Sequence, residues 1–581
     1  MRWKKPVIAA SAVAMMAVAA CGGGGGTTAE PTGSASPGGG AGSAIDMTVQ
    51  APAAPIPGAT KGGVMTVMSA GGATTMDPTE AYYTNTASIL TGLVTRSLTQ
   101  YEYRDGDMVL IPDLASSWES NTDYTKWTFT IRSGIKYEDG TPMTLEDLKY
   151  GIERSFDRDT FPTGAAYSNE YFKDGDTYKG PYASSADYKG VQIDGNKLII
   201  LMDRPFPDMP YWGSFPAIGP IPAGDASNPA TYKNHPLSTG PYKFADYEQG
   251  VSLKLVRNDQ WDPNTDPGRR AYPDEIDFTF TDETATIDQT MLSDSGKAQT
   301  TLTYDNIAAA DYPTAVQQAP DRLVKGTSPC TYMWAPDYRK VTNLNIRKAL
   351  GYAYPYENAW KAAGEIVGVT RIPGTTIMPP GTPGQSAHPY DVLGNQGNQS
   401  DPAKAKQILT DENKLGYEIK FLYVRGDDLA EAAKDQIVKS LTASGFKATP
   451  VAVGVNQYPT VRSDPNADIN LRSFGWCSDW PSGGSWFGPV FKTVAGGQAG
   501  NNYAFFSEKT VDKKIADIAA LPLDEQPDAY GALDKYMEET YYPVVNVGYL
   551  GDVFMHGSKI GGFENDSVYA MPTWKQMWVM Q

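Results

Sequence analysis

Residues 472–491 hold the densest concentration of potential chemistry in the chain. Trp476, Trp480 and Trp486 fall within eleven residues, Pro481, Gly483 and Gly484 supply turns among them, and Asp479 sits between aromatic and apolar neighbours. A carboxylate in such surroundings needs a partner charge or several hydrogen-bond donors. Asp479 is therefore a candidate cation receptor, with the rings around it excluding water and stacking on a ligand. The competing reading makes Asp479 a helix N-cap and the tryptophans ordinary core residues.

Other chemistries leave no comparable trace. There is no G-x-x-x-x-G-K-[ST] phosphate loop and no G-x-S-x-G elbow, and Gly22 to Gly26 follow no strand. His235, His388 and His556 lie in Pro- or Gly-rich surroundings, with no nucleophile or carboxylate at a telling spacing. Three scattered histidines do not make a metal site of the usual type, so neither metal nor cofactor is expected. A glycosidase-like carboxylate pair would come from distant positions and leave no local pattern. The net charge of −18 opposes nucleic acid, whose phosphates would be repelled.

The N-terminus sets the compartment. Arg2, Lys4 and Lys5 precede an uncharged run from Val7 to Ala20. As a helix that run covers about 21 Å, short of a hydrocarbon core of about 30 Å. A basic start, a short apolar run and small residues at its end describe an export signal. The ending Val18-Ala19-Ala20-Cys21 resembles a bacterial lipobox, in which Cys21 carries the lipid; the alternative is a plain secretory signal with a free cysteine. Residues 21–60 are rich in Gly, Ser, Thr, Pro and Ala and read as a flexible tether. No later stretch offers 18 consecutive apolar residues.

With Cys21 set aside, Cys330 and Cys477 remain as an even pair. Spacing alone leaves two possibilities open, a bridge in an oxidising compartment or two buried thiols. A bridge closing a loop of that length would restrict the unfolded chain by roughly 5 kcal/mol in the entropic model.

About 520 residues follow the tether, which exceeds one core and implies two or three domains. Trp127, Phe129 and Ile131 alternate with polar residues as a half-buried strand. Thr144 with Asp147 then opens a helix whose apolar side is Leu145, Leu148, Ile152 and Phe156. Tyr242 to Asn258 reads as a hairpin turning at Gln249-Gly250, and Asp401-Pro402 starts a helix. Ile419, Phe421 and Tyr423 form a strand, Leu429 to Leu441 a helix ending at Gly445, and Phe446 to Val453 a further strand. This β-α-β unit predicts a parallel sheet in the C-terminal half. Val511, Ile515 and Ile518 mark another helix, and the class is α/β with more than one domain.

Several of these stretches together resemble the oligopeptide- and dipeptide-binding family of extracellular solute-binding proteins that serve ABC importers. Residues 110–156 carry Leu-Ile-Pro-Asp-Leu-Ala-Ser-Ser-Trp, Trp-Thr-Phe-Thr-Ile-Arg, Asp-Gly-Thr-Pro-Met-Thr and Tyr-Gly-Ile-Glu-Arg-Ser-Phe, and residues 238–258 carry Ser-Thr-Gly-Pro-Tyr and Val-Arg-Asn. Asn345-Ile-Arg-Lys-Ala-Leu and Asp401-Pro-Ala-Lys-Ala-Lys match the C-terminal lobe. The resemblance implies a two-lobed periplasmic-binding-protein-like α/β fold, of the class II or cluster C type. An extra domain in the N-terminal lobe is expected at 83–219, with the main part of that lobe at 61–82, 220–325 and 549–581 and the C-terminal lobe at 326–548.

By the same resemblance the protein is no enzyme but a monomeric binding protein, lipid-anchored outside the bacterial cell membrane. It would close on a peptide and deliver it to permease subunits. Trp476-Cys477-Ser478-Asp479-Trp480 matches the stretch that holds the peptide α-ammonium, so Asp479 inherits that role, with Trp476 and Trp480 shaping the site. Cys330-Thr331-Tyr332 matches the partner of a family disulfide, which implies a Cys330–Cys477 bridge. Where some members carry an arginine against the peptide carboxylate this chain has Ser473; Arg472, one step away, is counted with the substrate-binding residues, although a one-residue shift on a strand turns a side chain to the other face. Two further readings are an oligosaccharide, nickel chelate or opine ligand on the same fold, and an extracytoplasmic hydrolase.

Overall fold

The computed structural model describes residues 44–581, apart from residues 74, 185–186, 225–226, 396 and 495–499. The export signal, Cys21 and the first part of the tether lie outside the described residues.

The molecule has two lobes of mixed α/β structure. In the N-terminal lobe a five-stranded sheet runs in the order Thr301–Thr303, Val64–Met68, Glu275–Thr279, Ser252–Arg257, Tyr242–Glu248. Its last two strands are the expected hairpin, closed by Gly250 at φ +75°, in the left-handed region where glycine has no Cβ penalty. A separate four-stranded antiparallel sheet is built from Ala115–Ser120, Lys126–Ile131, Lys197–Leu201 and Val191–Asp194. Trp127, Phe129 and Ile131 all point from it into the core, as strict alternation requires. The helix Leu145–Arg154 follows with a full capping box: the Thr144 hydroxyl accepts from the Asp147 N–H, and the Asp147 carboxylate from the Thr144 N–H.

The C-terminal lobe has six strands in the order Arg371–Ile372, Val545–Met555, Leu323–Pro336, Leu471–Cys477, Glu418–Val424, Lys447–Val453. The predicted β-α-β unit is present, with Glu418–Val424 parallel to Lys447–Val453 and the helix Asp428–Ala443 between them. The sheet as a whole is mixed, not parallel, because half of it comes from two long antiparallel strands, Leu323–Pro336 and Val545–Met555. These two strands carry the chain from one lobe to the other and back. Apolar clusters cover both sheet faces, one around Trp334, Tyr354 and Trp360, the other around Phe474, Trp486 and Phe487.

The tether expectation needs correcting at its far end. Residues 44–60 lie against the N-terminal lobe. Ile45 bridges to Leu110, Arg104 pairs with Asp46 at 2.7 Å, Arg270 donates to the Ala54 carbonyl, and the Ile56 N–H donates to the Tyr272 hydroxyl. Composition predicts little apolar burial here, but this segment is held by backbone hydrogen bonds and an ion pair to a preformed surface.

Candidate functional site

The strand Leu471–Cys477 ends at the lobe boundary. Cys477 stands directly opposite Cys330 in the antiparallel register, with Cα atoms 3.9 Å apart, and a disulfide joins them. The Ser478 N–H donates to the Pro329 carbonyl at 2.8 Å. Residues 478–483 therefore leave the sheet from an anchored point before the helix Gly484–Phe491 begins. Behind them, the Trp476 indole donates to the Ser485 carbonyl at 3.0 Å and packs on the C-terminal lobe core.

From this loop two consecutive residues reach into the other lobe. The Trp480 ring is buried among Tyr167, Phe206 and Phe215, with centroids 4.5, 6.1 and 6.1 Å away, and belongs to the hydrophobic core of the N-terminal lobe. Its indole donates to Asp208 Oδ2 at 2.9 Å. Asp479 Oδ2 accepts from the Tyr82 hydroxyl at 2.8 Å and also from the Tyr167 hydroxyl. Asp479 is not a helix cap, and no cation acts on it among the described residues. Burial pushes its carboxyl up to about 6, against the opposing effect of the two tyrosines.

The same boundary holds a small, partly open pocket lined by Thr327, Pro329, Thr382, Ser478, Trp480 and Ser567 with their neighbours. Its walls come from both lobes and the first connecting strand. The hydroxyls of Ser478, Thr382 and Ser567 are buried there without a hydrogen-bond partner. A buried hydroxyl left unpaired costs roughly 1–3 kcal/mol.

Asp479 and Trp480, both named from sequence, thus meet at the lobe boundary, and the core reading holds only in part. Trp486 is core to its own lobe, whereas Trp480 is core to the opposite one. Trp476 braces the loop and is not among the pocket-lining residues. Arg472, expected among the substrate-binding side chains, is not in the cleft. It is fully buried, donating to Asp337 Oδ2 at 3.0 Å and to the carbonyls of Arg462 and Asp464, with its guanidinium over the Phe505 ring. Strand alternation turns it to the Phe474 face, where a buried guanidinium must spend its donors internally.

Sequence reasoning missed Tyr82, Tyr167 and Asp208. Nothing in their local pattern marks them. Asp208 before Met209-Pro210 suggests a helix cap, yet its side chain makes no cap bond and turns to the other lobe. The histidines stand apart from this place and from one another, His235 on Glu138, His388 on Asp528 and His556 on the Gly557 carbonyl.

The model of bacterial extracellular solute-binding proteins, family 5 Middle, matches residues 109–498. The periplasmic oligopeptide-binding protein OppA of Salmonella typhimurium is 21% identical over 482 residues, covering 79% of this chain and 83% of that protein. Among solved structures, the clavulanic acid biosynthesis oligopeptide binding protein 2 superposes with a TM-score of 0.82 at 22% identity, over 93% of this chain and 99% of the other. The periplasmic binding protein DppA from Helicobacter pylori, in complex with the peptide STSA, superposes at 0.69 and 17% identity, over 90% and 99%. At such identities these structures establish the two-lobed fold, while the family match over two thirds of the sequence establishes descent. The chain belongs to the bacterial extracellular solute-binding proteins of family 5, a family of binding proteins and not of enzymes.

Proposed function

We propose that this protein captures peptides outside the bacterial cell, in the cleft between its lobes, and delivers them unchanged to the permease of an ABC importer. In this reading Cys21 carries the lipid that holds the protein at the outer face of the membrane, and the folded part works as a monomer. Among the described residues no helix is long and apolar enough to cross a membrane. The OppA relative is named for oligopeptide binding and the DppA structure holds a peptide, which supports the ligand class.

One observation carries the reading. Asp479 is a carboxylate at the lobe boundary with hydroxyl partners and, among the described residues, no cation, beside unpaired hydroxyls that line a small pocket. An ammonium group is the partner this arrangement lacks, and a peptide presents one at its N-terminus. Its main chain offers donors and acceptors to those hydroxyls, and closure on it is a two-lobe contact. A sugar would instead need exposed ring faces, and the Trp480 face is spent inside the N-terminal lobe core.

Calorimetry with the free and N-acetylated forms of one peptide tests this. Replacing Asp479 with Ala should weaken the free peptide by about 3–5 kcal/mol if its ammonium is fully enclosed. It should leave the acetylated form nearly unchanged. Equal affinity of the unaltered protein for both forms would remove Asp479 from the role. Native mass spectrometry of protein purified without unfolding should show a bound peptide, and a covalently altered cargo would end the transport reading.

A further inference from the structure

Trp480 stands between two acidic groups, Asp479 on its own loop and Asp208 across the lobe boundary. Asp208 lies on the N-terminal lobe side, 6% exposed, and precedes a four-residue helical turn that it does not cap. Its Oδ2 accepts the Trp480 indole hydrogen, and its Oδ1 has no hydrogen-bond partner. Facing it from the C-terminal lobe is Tyr530, 1% exposed, whose hydroxyl is also without a partner. Gly484 lies between them: a Cβ there would stand 2.8 Å from Asp208 Oδ2 and 3.3 Å from the Tyr530 hydroxyl. The missing side chain lets the two polar groups approach each other across the boundary.

No cation acts on Asp208 among the described residues; burial raises its carboxyl to about 6, with the Trp480 indole and the Ser482 hydroxyl opposing. The closed lobes therefore enclose two carboxylates, Asp479 and Asp208, on either side of one tryptophan, and, among the described residues, no positive charge of the protein's own. A monocation would neutralise one and leave the other buried and unpaired. A buried charge is tolerated when it is paired and hydrogen-bonded, and an unpaired one disfavours closure. Selectivity between cargoes follows from which of them removes that cost.

Resting on the peptide reading above, we propose that Asp208 is a second acidic anchor of the cleft, receiving a basic side chain of the cargo with Tyr530 as its hydroxyl partner. The preferred cargo is then a cationic peptide, carrying a lysine- or arginine-type charge in addition to its α-ammonium.

The test uses tripeptides of alanine with a lysine at the first, second or third position, each matched with its norleucine counterpart. Affinities are measured by calorimetry on the unaltered protein and on Asp208→Asn. The asparagine oxygen still accepts the Trp480 indole, so lobe closure is kept while the charge is removed. At least one lysine peptide should bind tenfold or more tightly than its norleucine match. In Asp208→Asn that preference should fall to within about twofold, with the norleucine peptides binding at least as tightly as before, and Tyr530→Phe should reduce it in part. Three outcomes overturn the proposal: no lysine preference in the unaltered protein, a preference that survives Asp208→Asn, or equal weakening of both peptides, which would make Asp208 a lobe latch. The first does not depend on any variant folding. Binding of norleucine peptides that acetylation abolishes, without a lysine preference, removes only this inference. If no free-amine peptide binds at all, the peptide reading falls with it.

Discussion

In the interior of the N-terminal lobe, Asp113 and Asp266 are as deeply buried as Asp208 is at the lobe boundary, but their surroundings are opposite in kind. Arg96 pairs with Asp113 at 2.7 Å, and Arg269 reaches both Asp113 and Asp266 at 3.0 Å, all four side chains being essentially inaccessible. Burial pushes the Asp266 carboxyl up, yet Arg269, Arg96 and the Gly268 N–H outweigh it and hold it far below the usual carboxylate range. Asp479 and Asp208 are met by hydroxyls and an indole only, and burial wins. One side chain type in one protein thus takes opposite charge preferences. Neutralised internally, a carboxylate is part of the scaffold. Left without a cation at the lobe boundary, it keeps its charge unmatched by the protein, which is the basis of the role proposed for Asp479 and Asp208.

The sharpest way to break this contrast is to move the scaffold to the other class. Replacing Arg269 with Met leaves Asp113 and Asp266 buried without one of the two guanidiniums that pair with them, and should destabilise the protein by about 3–5 kcal/mol in denaturant unfolding. Asp479→Asn or Asp208→Asn should do the reverse in the empty protein, raising stability by about 1 kcal/mol or less, since a buried charge without a partner is removed.

The pH profile of thermal unfolding sharpens it further. Asp479 and Asp208, with carboxyls raised to about 6, contribute stability that is full below about pH 4 and is lost as pH rises through 6. Asp534 and Asp552, buried elsewhere and raised to about 6 and 7, act in the same direction. Asp266, lowered, contributes stability that is present above about pH 4 and lost only in stronger acid. The empty protein should therefore melt highest in mild acid, near pH 4–5, and progressively lower toward pH 7, above which the buried Lys575, lowered to about 7, acts in the opposite direction. The double variant Asp479→Asn/Asp208→Asn should have a shallower slope between pH 5 and 7, whereas Arg269→Met should change the acid limb. A melting curve rising steadily from pH 5 to 7 would contradict the assignment of the boundary carboxylates.

Much of the fold was legible locally. The Lys126–Ile131 strand, the capped helix after Thr144, the hairpin at Gly250 and the 418–453 unit all follow from periodicity and turn chemistry that a short window contains. The family match over residues 109–498 agrees with the resemblance carried by those same motifs. Legibility failed where a side chain's partner comes from far away. Tyr82 and Tyr167 lie 397 and 312 residues from Asp479, and Asp208 lies 272 from Trp480. Arg472 reads as a ligand-binding cation until strand alternation sends it to Asp337. Residues 44–60 read as tether because composition reports apolar content and not the hydrogen bonds a neighbouring surface offers.

By itself, the order of residues determined the family, the α/β class, the pairing of Cys330 with Cys477 by resemblance, and Asp479 as the residue to watch. Those depend on periods, spacings and motifs that lie along the chain. Only the folded molecule decided that, among the described residues, Asp479 meets two tyrosines and no cation, that Trp480 crosses into the opposite core, and that its indole there meets Asp208. Charge preference is a property of what surrounds a group in three dimensions, and those surroundings are assembled here from strands and loops hundreds of residues apart.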